Sequence, residues 1–290
     1  MAGLDHISRE LPVLIAGPTA SGKSALALEL AARDGRLIVN ADALQVFGCW
    51  RVLTARPSAA EEAALPHALY GHVGREQVYS VGHWLREISG LLDRKLVIVG
   101  GTGLSFSALT GGLAEIPPVP AAVRAEADAL RFSGGGLDSM WAALDPETAA
   151  RTDRKNPMRV QRAFEVLRAT GRGLASWQAA TPAPLLALDR VEALVLRPSP
   201  AWLDDRIARR FCAMVETGAL EEAAAAQKFW APPAPWTRAI GAAELIAHLQ
   251  GSLTLDQAIA AGVLATRQYA KRQRTWFRSR MQDWRELVPG

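Results

Sequence analysis

The segment from Leu11 to Ala32 limits the possible folds of this sequence more than any other part of it. A short apolar run is followed by Gly-Pro-Thr-Ala-Ser-Gly-Lys-Ser at residues 17–24, and then by the helix-forming segment 25–32. This order is the phosphate-loop pattern, in which backbone N–H groups and a helix N-terminus surround an anion. The segment therefore predicts a strand and a helix that enclose a diphosphate or triphosphate site, with an ordinary glycine-rich turn as the alternative.

The chemistry of a phosphate loop predicts a role for each fixed position of the pattern. Gly17 and Gly22 allow the tight turn, Lys23 supplies a full positive charge to a terminal phosphate, and the Ser24 hydroxyl is placed to bind Mg²⁺. We assign diphosphate or nucleotide binding to Gly17, Pro18, Thr19, Ala20, Ser21, Gly22, Lys23 and Ser24. We expect Mg²⁺ as the cofactor, with Ser24 as its protein ligand.

Two further apolar runs, Leu37–Asp42 and Lys95–Thr102, are predicted to be buried parallel strands. Ligands of open parallel sheets lie beyond the carboxyl ends of the strands, so we expect Asp42 near the phosphate loop. Asp42 is a candidate general base or Mg²⁺ partner, and helix capping is the alternative. The second run ends in Gly-Gly-Thr-Gly at 100–103. A phosphate-loop ATPase usually has an acidic residue there, so this ending favours anion binding over the organisation of a hydrolytic water.

The composition is that of a globular protein with room for a substantial core. The chain has 290 residues, of which 49% are hydrophobic and 21% are charged. Its two cysteines, Cys49 and Cys212, are too few for a disulfide framework and fit a reducing compartment, so we expect a cytoplasmic protein. We predict no membrane association, because no apolar run approaches the length that crosses a bilayer and the first ten residues do not resemble a signal peptide.

The order of the predicted elements gives an α/β fold, a P-loop NTPase-like parallel sheet flanked by helices. A proline-rich linker at 117–120 precedes a helical segment, 123–170. A strand follows at Val191–Arg197, and Ser199 and Pro200 predict the start of a helix. We therefore predict a P-loop catalytic core from residues 1–114 and 186–290, with a mainly helical inserted domain from residues 115–185.

Positive charge is concentrated in two segments that are predicted to be helical, and the net charge of the chain is +4. In the segment 151–168, Arg159 and Arg162 fall on the same helical face. The long helix predicted at Ala258–Arg280 contains Arg267, Lys271, Arg274 and Arg278 at intervals of three or four residues, together with Trp276 and Phe277. Basic side chains interleaved with aromatic ones are typical of nucleic-acid binding, whereas a solvated helix face is the alternative.

Taken together, these motifs resemble the tRNA dimethylallyltransferases, also called tRNA isopentenyltransferases. The matching segments are Gly17–Ser24, Asn40–Gln45, Thr54–Pro57, Pro66-His67, Gly100–Leu104, Arg159–Gly171, Ala239–Gly241 and Thr266–Arg278. The last of these, Thr-Arg-Gln-Tyr-Ala-Lys-Arg-Gln-Arg-Thr-Trp-Phe-Arg, is the most specific. The resemblance covers nearly the whole chain, in the order that the family shows.

The resemblance implies transfer of a dimethylallyl group from dimethylallyl diphosphate to N6 of adenosine 37, next to the tRNA anticodon, with release of diphosphate. It implies that Asp42 is the general base. Together with the phosphate loop, Thr102 and Arg238 would stabilise the charge that develops as the C–O bond breaks. The catalytic residues implied in this way are Asp42, Thr102 and Arg238.

The resemblance also implies contacts with the tRNA anticodon stem-loop. The target base must leave its stack to enter the site, where residues 42–45 would surround it. The implied tRNA-binding residues are Asp42, Ala43, Leu44, Gln45, Thr102, Arg124, Arg159, Gln161, Arg162, Arg267, Lys271 and Arg272. We expect the protein to act as a monomer.

Three other functions account for part of the pattern. A small-molecule kinase shares the phosphate loop and an aspartate after the second strand, but the Gly-Gly-Thr strand end and the basic C-terminal helix argue against it. A prenyltransferase that acts on free adenine nucleotides would leave both basic segments without a role. A non-enzymatic RNA-binding module would leave the phosphate loop and Asp42 unexplained.

Overall fold

The structure is a computed structural model that describes residues 6–289. The chain forms two compact units, one of residues 1–110 with 185–290 and one of residues 111–184. The sequence predicted an inserted domain of residues 115–185, whereas the second unit of the structure consists of residues 111–184.

The first unit is built on a parallel sheet with the strand order β3-β2-β4-β1-β5-β6. Its strands are β1 (Val13–Ala16), β2 (Leu37–Asn40), β3 (His67–Ala68), β4 (Leu96–Gly100), β5 (Glu192–Leu196) and β6 (Arg285–Leu287). Every neighbouring pair runs parallel, which confirms the predicted sheet. The strands β1, β2 and β4 are buried along their whole length, as expected for a parallel sheet covered on both faces.

The helices flank the sheet in the first unit and make up the second. In chain order they are α1 (Lys23–Asp34), α2 (Ala59–Ala64), α3 (Val81–Ser89), α4 (Gly103–Gly111), α5 (Ala121–Phe132), α6 (Gly136–Ala142), α7 (Pro146–Arg151), α8 (Pro157–Thr170), α9 (Leu174–Ala179), α10 (Pro200–Met214), α11 (Leu220–Gln227), α12 (Ala242–Leu249) and α13 (Leu255–Arg280). The helices α5 to α9 belong to the second unit. None of the helices in the described range is long and apolar enough to span a bilayer.

Alternating strand residues pack into different layers on the two faces of the sheet. Ile15 contacts one apolar cluster with Leu30 of α1, whereas Ile98 contacts another with Trp84 of α3 and Phe106 of α4. A third cluster joins α10, α12 and α13 to the segment after β2. The carboxyl ends of β1, β2 and β4 therefore open at one edge, beside α10 and α13.

The helix that follows β5 begins where the sequence predicts. The Ser199 hydroxyl accepts a hydrogen bond from the Trp202 N–H at 3.4 Å, and Pro200 occupies the first turn, where its missing N–H costs nothing. The helix ends at Met214, and a wide turn over residues 215–219 contains Gly218 with φ +123°. A side chain at such a φ would be strained, so glycine allows α10 and α11 to follow each other directly.

The second unit has a small core of its own. Its central cluster of buried apolar residues consists of Ala127, Met140, Leu144, Val160, Ala163 and Phe164, from α5, α6, α8 and the residues that follow α6. The Asn156 side chain caps α8 by accepting from the Arg159 N–H at 3.3 Å, and Gly171 ends the helix. The helices of this unit surround a separate core, and the unit is mainly helical, as predicted for the inserted domain.

Candidate active site

The phosphate loop connects β1 to α1 and requires glycine at its first position. A Cβ atom on Gly17 would lie 2.8 Å from Ser21 Oγ and 3.1 Å from Leu196 Cβ, so a side chain would push the loop away from the sheet. Gly22 lies in the left-handed region with φ +90° and leads directly into α1 at Lys23. The Ser21 hydroxyl is buried and has no hydrogen-bond partner among the described residues. The loop therefore holds a tight, close-packed turn at the N-terminus of α1.

Lys23 is the cation of this loop. Its ammonium group donates to the Pro18 carbonyl oxygen at 3.3 Å. Burial lowers the pKa of Lys23 to about 8, although the carboxylate of Asp42 acts in the opposite direction; Arg210 lowers it further. A bound anion would stabilise the protonated ammonium and raise its pKa again, so this loop suits a negatively charged ligand.

Two arginines from α10 contact the same loop. The Arg206 Nε donates to the Ala20 carbonyl oxygen at 3.1 Å, and Arg210 Nη2 donates to the Thr19 hydroxyl. Burial, followed by the charge of Arg206, lowers the pKa of Arg210 to about 10. Sequence reasoning missed both residues; their spacing of four on one helix was the signal that could have indicated a shared cationic face.

Gln273 of α13 ties the phosphate loop to the loop after β4. Its Oε1 accepts from the Thr19 N–H at 2.9 Å, and its Nε2 donates to the Gly101 carbonyl oxygen at 2.9 Å. The side chain is buried, at 6% exposure. Gln273 lies inside the most specific segment of the family resemblance, but nothing in the sequence indicated that it contacts the loop.

Asp42 lies just beyond the end of β2, and its backbone and side chain are both held in place. The Asn40 Oδ1 accepts from the Asp42 N–H at 2.8 Å, and Asn40 Nδ2 donates to the Asp42 carbonyl oxygen at 3.0 Å. One carboxylate oxygen, Oδ1, accepts from the Leu44 N–H at 3.0 Å. Asp42 thus stabilises its own turn and also lines a pocket; no helix begins at residues 43–46, so the alternative role as a helix cap is wrong.

Thr102 is brought to the same place from the neighbouring strand. Its hydroxyl accepts from the Ala43 N–H at 2.9 Å, and its own N–H donates to the Ala41 carbonyl oxygen at 3.2 Å. The loops after β2 and β4 are therefore joined next to Asp42. The structure brings together Asp42, Thr102 and the phosphate loop, which the sequence placed at separate strand ends.

The pocket beside Asp42 has a polar and an apolar part. Polar side chains that line it are Thr19, Asp42, Thr54, Arg210, Thr266 and Tyr269. The apolar lining consists of Leu44, Leu53, Ile207, Phe211, Met214 and Ile240. Burial, and then the charge of Asp42, raise the pKa of Tyr269, so its phenol stays protonated. Such a pocket suits a ligand with a charged end and a hydrocarbon end.

Gln45 closes the loop that follows Asp42. Its Nε2 donates to the carbonyl oxygens of Thr54 and Ala55, at 2.8 and 2.9 Å. The two carbonyls occupy the amide N–H groups and leave Oε1 as an acceptor. Gln45 therefore connects the predicted base-binding segment to residues 54 and 55.

Arg238 lies at the end of a 3₁₀ turn, Pro235–Arg238, and its side chain is exposed. Of the residues that the structure describes, those lining the pocket include the nearby Ile240 but not Arg238. The cationic contacts with the phosphate loop come instead from Arg206 and Arg210. The catalytic role of Arg238 stays a prediction.

The basic face of α13 is separate from its pocket face. Arg267, Lys271, Arg274 and Arg278 line one groove with Asp204 and Leu203 of α10. The interleaved aromatic residues do not belong to this face, which corrects the expectation from sequence. Phe277 is buried in the core and Trp276 packs against Gly103, because these positions point toward the sheet. Arg272 is exposed, with its guanidinium carbon 5.7 Å from the centre of the Tyr269 ring.

The predicted tRNA contacts in the second unit have different surroundings. Arg124, Arg159 and Arg162 are exposed. Gln161 is buried in α8, where its Nε2 donates to Asp128 Oδ1 at 2.8 Å and to Glu165 Oε1 at 2.9 Å. The three arginines are thus available at the surface, whereas Gln161 has an interior hydrogen-bonding role; their contacts with tRNA stay predictions.

Ser24 is the residue predicted to bind a metal ion. In the range 6–289 there is no cluster of three or more His, Cys, Asp or Glu side chains that could hold a metal. Mg²⁺ usually keeps several waters and takes one or two protein oxygens plus phosphate oxygens. The Ser24 hydroxyl, exposed in the first turn of α1 beside Lys23, fits this mode of binding, in which the diphosphate supplies further ligands.

Comparisons with known proteins agree with this architecture. The model of the family described as IPP transferase matches residues 45–280. The tRNA dimethylallyltransferase of Cereibacter sphaeroides is 65% identical over 97% of this chain and 97% of its own length. The enzyme of the same name from Dinoroseobacter shibae is 62% identical over 99% of this chain and 98% of its own.

Solved structures show the same fold. The full-length tRNA isopentenylpyrophosphate transferase of Bacillus halodurans superposes with a TM-score of 0.67 at 29% identity, covering 96% of this chain and 90% of that one. A eukaryotic dimethylallyltransferase described as acting on tRNA has a TM-score of 0.77 at 23% identity, covering 96% and 73% of the two chains, and it supports the fold alone. With a family model that matches most of its length and relatives that match nearly all of it, the chain belongs to the IPP transferase family.

Proposed function

We propose that this protein transfers the dimethylallyl group of dimethylallyl diphosphate to the N6 amino group of adenosine 37 in tRNA, next to the anticodon, and releases diphosphate. The observation that carries the proposal is a single pocket that is lined by Thr19 of the phosphate loop, by Arg210 and Asp42, and by a set of apolar side chains. The relatives that share most of the sequence are named for this activity.

The cationic side of the pocket fits the diphosphate. The amides of the loop and Lys23 would bind it, and Arg210, which already touches the loop at Thr19, would add charge as the C–O bond lengthens. We propose that Thr102 and Arg238 contribute there too. Mg²⁺ bound through Ser24 would neutralise part of the negative charge of the diphosphate. Since the leaving group departs intact, the site needs no residue that activates a water.

The apolar side fits the prenyl chain. Leu53, Ile207 and Phe211 are each at most 6% exposed, and Met214 and Ile240 continue the same wall. A five-carbon branched hydrocarbon would be shielded from water by these side chains. Exclusion of water also protects an allylic carbon that becomes positively charged as the diphosphate leaves.

Asp42 is positioned to take the proton from the nucleophile. In the transfer, the N6 lone pair forms a bond to C1 of the dimethylallyl group, the C1–O bond breaks toward diphosphate, and N6 gives a proton to the carboxylate. Only Oδ1 is used by the Leu44 N–H, which leaves Oδ2 for this proton. An exocyclic amine of adenine is a weak nucleophile, so a base at this position lowers the barrier.

The adenine would have to be turned out of the anticodon loop to reach Asp42. We propose that Ala43, Leu44 and Gln45 surround it, and that Gln45 Oε1 accepts from an amino group because its own N–H groups are occupied. The exposed arginines of α8 and the basic groove of α13 would hold phosphates of the stem-loop. We propose that the protein works as a monomer in the cytoplasm.

The test is prenyl transfer with purified protein, dimethylallyl diphosphate and unmodified tRNA. We expect modified adenosine in the tRNA, no comparable product with AMP, and no transfer of phosphate from ATP. The Asp42→Asn variant should lose about a hundredfold or more in kcat with tRNA affinity changed far less, because general-base catalysis typically contributes 10²–10⁴-fold. Normal turnover by Asp42→Asn would show that another group takes the proton, and prenylated AMP would favour the free-nucleotide enzyme.

A further inference from the structure

Glu222, in the first turn of α11, holds three consecutive backbone amides of a distant segment. Its Oε1 accepts from the N–H groups of Arg51 and Val52, both at 2.8 Å, and its Oε2 accepts from the Leu53 N–H at 3.0 Å. Hydrogen bonds to a carboxylate are stronger than those between neutral groups. A single side chain therefore fixes the position of residues 51–53.

The segment held in this way is a closed turn. The Ala55 N–H donates to the Val52 carbonyl oxygen and the Arg56 N–H to the Arg51 carbonyl oxygen, both at 2.9 Å. The Thr54 hydroxyl donates to the Trp50 carbonyl oxygen at 3.1 Å. These local bonds fix the shape of the turn, so the remaining freedom is its position relative to the rest of the unit. The three bonds to Glu222 restrict that freedom.

This turn supplies part of the candidate active site, although Glu222 itself does not line the pocket in the described structure. Leu53 forms part of the apolar wall and Thr54 lies beside it. The carbonyl oxygens of Thr54 and Ala55 hold the Gln45 amide. A shift of the turn would therefore change the apolar wall and the orientation of Gln45 together.

We propose that Glu222 is a positioning residue that sets the apolar wall of the pocket through the backbone of residues 51–53, and so selects the length of the prenyl chain. The proposal rests on the proposed function, because it assigns the apolar wall to the prenyl donor. Leu53 is buried and forms part of the apolar lining, so a fixed turn would limit the volume that the hydrocarbon can occupy. With the turn released, Leu53 can move and a chain one isoprene unit longer gains access.

The test compares Glu222→Gln and Glu222→Ala with Glu221→Gln. Glutamine keeps the length of the side chain but only one acceptor oxygen, so part of the three-amide contact is lost. Glu221 is the neighbouring residue in the same helical turn and is exposed, so its substitution removes an equal charge near the start of α11 without touching the turn. Hydrogen exchange of residues 51–53 measures the anchoring directly, and steady-state kinetics are run with dimethylallyl and geranyl diphosphate.

We expect amide exchange at residues 51–53 to be faster in both Glu222 variants and unchanged in Glu221→Gln. In Glu222→Ala the KM for dimethylallyl diphosphate should rise about tenfold, as expected when a wall contact is lost, while the kcat/KM ratio of geranyl to dimethylallyl diphosphate rises about fivefold or more. Glu222→Gln should lie between this variant and the wild type, and it carries the test if Glu222→Ala does not fold.

Unchanged exchange at residues 51–53 in Glu222→Gln would overturn the anchoring. Faster exchange with an unaltered ratio between the two donors, even with a lower overall rate, would mean that Glu222 only stabilises the fold and would overturn its role in selectivity. If the wild-type protein transfers neither prenyl group to tRNA, the proposed function fails, which is distinguishable because the exchange result does not depend on catalysis.

Discussion

At the level of single residues, the charge of Lys23 is set by its burial. The pKa of Lys23 is lowered from 10.5 to about 8 because the ammonium is removed from water. A diphosphate beside it would raise the pKa again, so binding above about pH 8 takes up a proton. We expect the Kd for dimethylallyl diphosphate, measured by calorimetry, to rise by up to about tenfold per pH unit above this value, since a single proton is coupled to binding.

Lys23→Met is the control for this prediction, because it keeps any pH dependence that belongs to the ligand. Below pH 8 the variant should bind dimethylallyl diphosphate more weakly than the wild type does. Above pH 8 its Kd should lack the additional rise that the wild type shows. The sign for folding is opposite to that for binding: between about pH 8 and 10.5 the unfolded chain holds the proton and the folded chain does not, so the free energy of unfolding rises with pH. If the Kd of the wild type depended on pH in the same way as the Kd of Lys23→Met, Lys23 would not be the titrating group.

The residues that the sequence predicted and those it missed differ in how far their contacts reach. Lys23 belongs to a local motif, and Asp42 follows a strand whose apolar pattern can be read directly. Gln273 is 254 residues from Thr19, and Glu222 is 171 residues from Arg51. Contacts of this kind depend on how helices pack in three dimensions. The hydrophobic periodicity of a single segment does not contain that information.

At the level of elements, α13 connects the two anion-binding loops through the buried side chain of Gln273. Gln273→Ala would leave the Thr19 N–H and the Gly101 carbonyl oxygen without their partner. Each buried polar group left unsatisfied costs about 1–3 kcal/mol, so with two such groups we expect the free energy of unfolding to fall by about 2–6 kcal/mol. Because both groups belong to the anion-binding loops, the Kd for diphosphate should also rise. Chemical denaturation and calorimetry measure the two effects.

Gln268→Ala is the matched control, since Gln268 is exposed on the same helix. It should leave the free energy of unfolding within about 0.5 kcal/mol of the wild type, as surface substitutions usually do. If Gln273→Ala were equally mild, water would have to replace the bridge between the two loops, and α13 would not be needed to hold them together.

The elements that sequence reasoning did not find are short or are defined by pairing. The strand β3 has two residues and β6 has three, so neither contains enough alternation to be recognised. They exist because they pair with β2 and β5 at the edges of the sheet. The start of α13 at Leu255 instead of Ala258 was readable, because Thr254 and Gln257 form a capping box.

At the level of the whole molecule, the net charge of +4 describes the distribution of charge poorly. Several arginines of the basic segment 151–168 are paired with acids: Arg151 with Glu147 at 2.8 Å, Arg154 with Asp138 at 2.8 Å, and Arg168 with Glu126 at 3.1 Å. Arg162 is 3.9 Å from Glu165, a longer and weaker contact. The second unit therefore offers fewer cations to a polyanion than its sequence suggests; its exposed predicted tRNA contacts are Arg124 of α5 and Arg159 and Arg162 of α8.

This distribution predicts which arginines of the second unit bind tRNA. The double variant Arg159→Ala and Arg162→Ala should weaken tRNA binding about tenfold at physiological salt, and should reduce the slope of log K against log salt concentration by about 1–2, because each phosphate contact contributes about one.

Arg151→Ala with Arg154→Ala removes the same formal charge from residues that already have carboxylate partners, so its effect should be clearly smaller. Affinity for dimethylallyl diphosphate should stay constant in both, because these residues belong to the second unit and the phosphate loop to the first. Equal losses in the two double variants would mean that tRNA responds only to overall charge, and no loss in either would mean that Arg159 and Arg162 do not contact tRNA.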